Sequence, residues 1–402
     1  LEGVRVLDIS RVIAGPLAAQ TLADLGAEVI KIERPGIGDD TRTMGPHFGD
    51  EGHLVDRSAF FWAFNRGKRS VAIDLASAEG AGLVRQLASK ADVIIENFKV
   101  GVLARYGLGY AHLAEVNPRL VYCSITGFGQ TGPYRERAGY DTVVQAMGGL
   151  MSLTGEPDGT PGSGPQRVGM PMIDMMTGIY ASTAVIAALR HRDRTGKGQL
   201  VDVALLDVMV SALSYAGVDY LTSGGMQPRV GTRSPVTYPS GVYACSDGQI
   251  IVVVGNDDQF ARFCKVLGTV DLLSDPRFSS SPDRVRNSLA LDEVVVPEMA
   301  RLTKRQCLDA FERAGIPAGP INDLPQVFAD PHIRARNSVV EMQHPSLGPV
   351  RCLASPMRLS ESPVCQDNRP PLLGEHTREV LRDLLDLSDE GIEDLRTRSL
   401  VQ

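Results

Sequence analysis

The sequence is short of the features that usually assign a protein at a glance. It has no basic excess: 41 Lys and Arg stand against 48 Asp and Glu, a formal net charge of -7, with an isoelectric point near 5.6. That excludes a global positive field for nucleic acid or for an anionic membrane surface, although a local Arg/Lys cluster can still hold an anionic ligand. The six cysteines (Cys123, Cys245, Cys264, Cys307, Cys352 and Cys365) form no C-x-x-C pair and have no zinc-site spacing, so reduced thiols and no bound metal are expected. No apolar run approaches the length of a membrane span. The turn Ser10-Arg11-Val12-Ile13-Ala14-Gly15-Pro16 lacks G-x-G-x-x-G, which argues against a dinucleotide-dependent oxidoreductase. Neither a fixed-period repeat nor a low-complexity tract is present. These absences fit a cytoplasmic protein, or one of the mitochondrial matrix if a leader preceded Leu1.

What is present is 402 residues, 43% of them hydrophobic, enough for more than one core. Val4–Ile9 and Ala27–Ile32 read as buried strands, with helical spacing over Ala18–Leu25 between them. The pattern recurs in a strand over Val71–Leu75, a helix over Ala78–Ser89, and strands over Val93–Ile95 and Leu120–Ile125. Strands alternating with helices predict an α/β fold built on an open, mostly parallel sheet with flanking helices. The Gly/Pro/Ser/Thr-rich stretch Gly224–Ser240 marks a boundary, and Gly241–Cys245 with Ile250–Val254 reads as a hairpin. The expected organisation is a large domain in two pieces, 1–200 and 326–402, a connector over 201–225, and a smaller α+β domain over 226–325.

Asp174 stands directly before an apolar helical run from Ile179 to Leu189. A carboxylate at a helix start meets unpaired N–H groups and the positive dipole end, which favour its ionised form. Such an Asp can serve as an N-cap, as a poised nucleophile, or as both. Around the strand ends lie the cations Arg34, Arg42, Lys68, Arg69 and Arg105. Asn97-Phe98 puts an amide and an aromatic face just after a strand, where open α/β sheets bind ligands.

A set of motifs runs through the chain in order. It includes Leu25-Gly26-Ala27-Glu28-Val29-Ile30-Lys31-Ile32-Glu33, Asn65-Arg66-Gly67-Lys68-Arg69-Ser70, Glu96-Asn97-Phe98, Gly127-Phe128-Gly129-Gln130-Thr131-Gly132-Pro133, Ala138-Gly139-Tyr140-Asp141, Asp174-Met175-Met176-Thr177-Gly178, Gly315-Ile316-Pro317-Ala318-Gly319-Pro320 and Pro371-Leu372-Leu373-Gly374-Glu375-His376-Thr377. On these the chain resembles the family III CoA-transferases, the group of formyl-CoA transferase, carnitine-CoA transferase and α-methylacyl-CoA racemase. The resemblance implies a Rossmann-like large domain and an interlocked homodimer. It implies CoA and acyl-CoA as substrates rather than resident cofactors, and small carboxylic acids as their partners. Asp174 falls on the family's nucleophile. Arg34, Ile73, Asn97, Phe98, Arg105 and Tyr106 fall on its CoA contacts, with Arg34 and Arg105 facing phosphates.

Two departures narrow the expectation. Tyr140 stands where the racemase branch has a His that acts as a second base, and a phenol with pKa near 10 replaces it poorly. Ile13 stands where the formyl-CoA branch has Gln. Likeness in Gly38–Thr43 and in Arg167–Asp174 is to transferases that use succinyl-CoA and dicarboxylates. The expected chemistry is CoA transfer through an aspartyl anhydride and an aspartyl-CoA thioester. Tyr140 would supply a hydroxyl near the reacting carbonyl, Arg167 or Arg11 would hold a second substrate carboxylate, and the loop around Gly255-Asn256 would exclude water. An acyl-CoA racemase and a silent acyl-CoA-binding protein are the alternatives. His376 is expected to be structural.

Overall fold

The computed structural model describes residues 1–49 and 56–402, which divide into two compact units. The first comprises residues 1–148, 169–214 and 334–402, and the second residues 149–168 and 215–333.

The first unit is built on six parallel strands: β1 (Arg5–Asp8), β2 (Glu28–Glu33), β3 (Lys68–Ala72), β4 (Val93–Glu96), β5 (Val121–Thr126) and β6 (Gln199–Ala204). Their order is β3-β2-β1-β4-β5-β6. The inner strands are apolar almost without interruption because helices cover both faces, leaving no solvent side to pattern against. Val6, Leu7, Val29, Ile30, Val93, Ile94 and Val121 are all essentially inaccessible. The helices in chain order are α1 (Ala14–Asp24), α2 (Ala59–Phe64), α3 (Ala78–Ser89), α4 (Val102–Arg105), α5 (Tyr110–Val116) and α6 (Asp141–Met147). They continue with α7 (Leu150–Leu153, in the second unit), α8 (Met172–Thr195) and α9 (Leu205–Ala212). The segment read from sequence as a connector therefore begins inside the sheet and runs on as α9 and a further helix, Ser214–Ser223.

The chain winds one way from β1 to β3 and the other way from β4 to β6. The switch lies between β1 and β4, and a crevice opens there at the carboxyl ends of the strands. Arg11 follows β1 and Asn97 follows β4, so both sit at this point.

The 24-residue α8 has mean hydropathy 1.5 in its most apolar window, long and apolar enough by composition to cross a membrane. No continuous apolar run in the sequence suggested this, since polar residues interrupt it. It packs lengthwise on α1, against β5 and β6, and buries Ile173, Ala181, Val185 and Leu189, so it is a core helix of this unit. The α1–α8 crossing is close. A Cβ on Gly178 would lie 2.8 Å from the Ala14 carbonyl oxygen, so only glycine fits without displacing backbone. One helical turn earlier on α8 lies Asp174.

The second unit holds an antiparallel sheet of Ser240–Cys245, Gly248–Val253 and Ala318–Pro320. Helices Asp257–Leu267, Ser288–Arg301 and Lys304–Arg313 close a core around Ile250, Val252, Phe263 and Phe311.

Candidate active site

Two cavities adjoin at the switch point of the first unit and share Arg11, Asp40 and Phe98. The larger, about 460 Å³, lies between the β1, β2 and β3 ends and the start of α4; Arg34, Ile73, Phe98 and Tyr106 line it. The smaller, about 180 Å³, is lined by Arg11, Asn97, Phe98, Tyr140 and Asp174. Most of the residues singled out from sequence thus come together around one crevice. Arg105 lies on the exposed side of α4, next to Tyr106. Arg167, Gly255 and Asn256 belong to the second unit.

The five cations noted at the strand ends separate into two kinds. Arg42 is fully buried, forks onto Glu33 at 2.7 Å through two nitrogens, reaches Asp56 at 2.8 Å, and stacks on Phe61. Lys68 is buried against Asp8, Asn65 and the Pro16 carbonyl, each at 2.8 Å. Arg69 pairs with Glu28 and Glu379. These three are spent inside the fold. Among the described residues Arg34 and Arg105 have no ion-pair partner, which leaves their guanidinium groups available to an anion.

Asn97 has a defined task. Its Oδ1 accepts the Arg11 N–H at 2.8 Å and its Nδ2 donates to the Arg11 carbonyl at 2.6 Å, tying the turn after β1 to the end of β4. The Arg11 guanidinium lies over the Phe98 ring, 5.1 Å from its centroid, and also pairs with Asp40 at 3.1 Å. Glu96, not singled out from sequence, supports the same turn. It is 5% exposed and accepts the Phe98 N–H at 2.8 Å. Burial, with a lesser push from Asp202, raises its carboxyl to about 7.

Asp174 is the third residue of α8. The cap position is Pro171, which makes no side-chain cap bond. The reading of Asp174 as an N-cap is therefore corrected, and so is the expectation that the helix start favours its ionised form. The first-turn amides are already taken. Asp141 at the start of α6 accepts the N–H of Ile173 at 2.8 Å and of Asp174 at 3.1 Å, and Gln145 donates to its other oxygen at 2.6 Å. Asp174 is thus desolvated and lies beside a second carboxylate. Burial first, and Asp141 second, push its carboxyl up to about 7. The motif Ala138-Gly139-Tyr140-Asp141 was visible in the sequence, but only the fold brings Asp141 to a residue 33 positions on.

Tyr140 is 68% exposed at the edge of the same cavity, so it is not a packed core tyrosine. His376 exchanges backbone and ring hydrogen bonds with Ser70, tying the C-terminal segment to β3. Among the described residues, no group of three or more His, Cys, Asp or Glu side chains is placed to hold a metal ion.

Comparison with known proteins meets this geometry from another side. Residues 1–377 match the model of CoA-transferase family III. A succinate–glutarate CoA-transferase of Agrobacterium fabrum is 45% identical over 96% of this chain and 95% of its own. The succinyl-CoA:glutarate CoA-transferase of Homo sapiens is 40% identical over 100% of this chain and 90% of its own. The crystal structure of a CAIB/BAIF family protein from Brucella suis superposes with a TM-score of 0.84 at 44% identity, covering 95% of this chain and 98% of that one. A parallel sheet open at its switch point, with an unspent Arg34 beside one cavity and a desolvated Asp174 in the next, belongs to a chain of CoA-transferase family III.

Proposed function

We propose that this enzyme moves CoA from succinyl-CoA to a dicarboxylic acid, with Asp174 as the covalent carrier. The observation that carries the reading is the setting of Asp174, a desolvated carboxyl beside Asp141 in a cavity that adjoins a second one large enough for part of a CoA ester. The relatives named for succinate or succinyl-CoA and glutarate support the choice of acids.

In the proposed sequence a carboxylate oxygen of Asp174 attacks the thioester carbonyl. The C–S bond breaks, CoA leaves as thiolate, and a mixed anhydride remains. The thiolate then attacks the aspartyl carbonyl, which releases the donor acid and leaves aspartyl-CoA. The acceptor carboxylate attacks this thioester, forming a second anhydride, and the returning thiolate takes the acceptor acyl group. Each step exchanges one carboxylate or thiolate for another, so no net proton or electron is needed. A carboxyl with pKa near 7 is more basic, hence more nucleophilic, than an ordinary one, yet is ionised in good part at neutral pH. Acylation also removes its charge. The repulsion with Asp141 that raises the free carboxyl is relieved in both covalent intermediates, which favours their formation.

The larger cavity, with Arg34, Ile73, Phe98 and Tyr106, is the proposed seat of the CoA moiety, with Arg105 at its approach. Tyr140 is the proposed hydroxyl donor to the reacting carbonyl. Arg11, which faces the smaller cavity but is paired with Asp40, remains a proposed carboxylate contact. We also propose a homodimer: Val143, Met147, Ile179 and Tyr180 of α6 and α8 are 44%, 46%, 57% and 48% exposed in a single chain, an apolar surface that a second copy would cover.

The test is direct. The protein is incubated with succinyl-CoA and a panel of carboxylic acids, new CoA esters are identified by mass, and hydroxylamine is added to trap the acyl enzyme. A new dicarboxyl-CoA ester and an adduct at residue 174 are expected. Deuterium loss from the acyl α-carbon without CoA exchange would show a racemase instead.

A further inference from the structure

Four cationic side chains line the cavity that holds Asp174: Arg11, Lys99, Arg135 and Arg137. Arg11 is engaged with Asp40 at 3.1 Å and Arg135 with Glu136 at 3.4 Å. Lys99 is an exposed ammonium that also borders a neighbouring cavity. Arg137 differs from all three. Among the described residues it has no carboxylate partner, yet its side chain is held in place. Its guanidinium lies 3.8 Å from the centroid of the Tyr134 ring, and that ring packs edge-on against Phe128 at 5.7 Å. The Arg137 N–H also closes a turn onto the Tyr134 carbonyl at 2.8 Å.

The loop that carries Arg137 is pinned at both ends. Gly127 and Gly139 approach so closely that a Cβ on either would lie 2.6 Å from the other's Cα. Gly127 follows β5 and its carbonyl accepts the Leu206 N–H of α9 at 3.1 Å, while Gly139 leads through Tyr140 into α6. The loop between them is therefore a closed excursion from the sheet end, fixed where backbone touches backbone. A stacked guanidinium on such a loop loses little freedom when it binds an anion. Its planar fork fits the two oxygens of a carboxylate.

We propose that Arg137 receives the remote carboxylate of a dicarboxylic acid, or of its CoA ester, while the other carboxyl carbon reacts at Asp174. This makes Arg137 the residue that selects dicarboxylates over monocarboxylates. The inference rests on the CoA-transfer reading above and deepens it by naming what holds the non-reacting end. It places the remote carboxylate on a residue of the same cavity as Asp174 that has no competing intramolecular partner, unlike Arg11.

The test compares wild type with Arg137→Ala and Arg137→Lys in two selectivity ratios of kcat/KM. One is glutarate over valerate as acceptor with succinyl-CoA, and the other is succinyl-CoA over butyryl-CoA as donor. Free CoA is run as a product inhibitor alongside. For Arg137→Ala both ratios should fall by at least about tenfold, the scale of one charge-assisted contact, with the inhibition constant of free CoA within about twofold of wild type. Arg137→Lys should lie between, because it keeps the charge and loses the fork. Unchanged ratios in an active, folded variant overturn the proposal, and weaker CoA inhibition with unchanged ratios reassigns Arg137 to a CoA phosphate. A wild-type enzyme that transfers CoA to no dicarboxylate sinks the underlying reading and this inference together, whereas an active wild type with an indifferent Arg137→Ala sinks only the inference.

Discussion

Two groups of desolvated carboxyls, both near strand ends of the same sheet, are treated in opposite ways. In the first, Asp8, Glu33 and Asp39 lie among Lys31, Lys68 and Arg42. Lys31 reaches Asp39 at 2.9 Å and Asp8 at 3.7 Å, and donates to the Ser10 carbonyl at 2.8 Å. Burial works against ionising all three acids, but the neighbouring cations outweigh it and hold each carboxyl below its ordinary range. In the second group Asp174 is half-buried in a cavity whose cationic side chains form no ion pair with it; desolvation first, and the Asp141 carboxylate second, raise its carboxyl to about 7. Desolvation raises the carboxyls of both groups, so the presence or absence of paired cations decides the outcome. The compensated group is locked as ions and holds the two loops that frame the larger cavity, after β1 and after β2. The uncompensated carboxyl is held near neutrality, where it can gain or lose charge during a reaction.

The largest effect is expected from removing the carboxyl proposed to react. Asp174→Asn should lower CoA transfer by at least about three orders of magnitude, or roughly 4 kcal/mol. Stability should move the other way. A carboxyl whose folded pKa of about 7 exceeds its ordinary value of 3.8 costs nothing below pH 3.8, and its cost grows as pH rises towards 7. Denaturant melts should therefore find Asp174→Asn more stable than wild type at pH 8, by about 1–3 kcal/mol, and no more stable at pH 4. Equal stability at both pH values would mean that the carboxyl is not held out of its normal range.

The compensated group should respond with the opposite sign. Lys31→Met removes a buried ammonium and leaves Asp39 and Asp8 short of a partner, so a loss of about 3 kcal/mol is expected. The pH window also differs. Carboxyls held low contribute stability above their ordinary values of 3.8 for Asp8 and Asp39 and 4.5 for Glu33, and lose it as pH falls through their folded values. For Lys31, raised by Asp39, Asp8 and Glu33 against the cost of burial, the contribution holds up to 10.5 and is lost above it. The destabilisation by Lys31→Met should thus be largest between about pH 5 and 10 and shrink on acidification. A variant as stable as wild type at pH 7 would show that the network frames the cavity without supporting the fold.

The comparison also marks what could be read from sequence. Strands β1 to β5, with β3 set a few residues late, and the helix Ala78–Ser89 were legible because burial on both faces writes continuous apolar runs and helices write a 3.6-residue period, both local signals; β6, half-exposed, was read as a connector. That Asp174, Arg34 and Phe98 lie around one crevice was legible through motifs. Which cations serve the fold was not, because Arg42 meets Glu33 across a loop and Lys68 meets Asp8 across 60 positions. The charge state of Asp174 was misread for the same reason. A helix start offers free amides only until another side chain takes them, and Asp141 comes from a different helix. Arg137 gave no local signal either, since an exposed arginine in a Gly-rich loop looks the same with or without a stacking ring and a closed loop beneath it.

The finest test adjusts Asp141 and leaves the proposed nucleophile in place. Asp141→Asn removes the like charge but keeps an oxygen that can accept the amides of Ile173 and Asp174, as Asn does at helix starts generally. Burial remains the first cause of the raised Asp174 carboxyl, so its pKa should fall only part of the way back towards 3.8. In the pH profile of kcat/KM for acyl-CoA, the acidic limb, set in wild type by an ionisation near 7, should move to lower pH by about one unit or less. At the plateau a less basic carboxylate attacks more slowly and its acylation no longer relieves a repulsion, so the maximal rate should drop by a few-fold, on the order of 1 kcal/mol. A shifted limb with a lower plateau would show that the second carboxylate tunes the first. An unmoved limb would assign the whole shift to burial and leave Asp141 only the task of holding the first turn of α8.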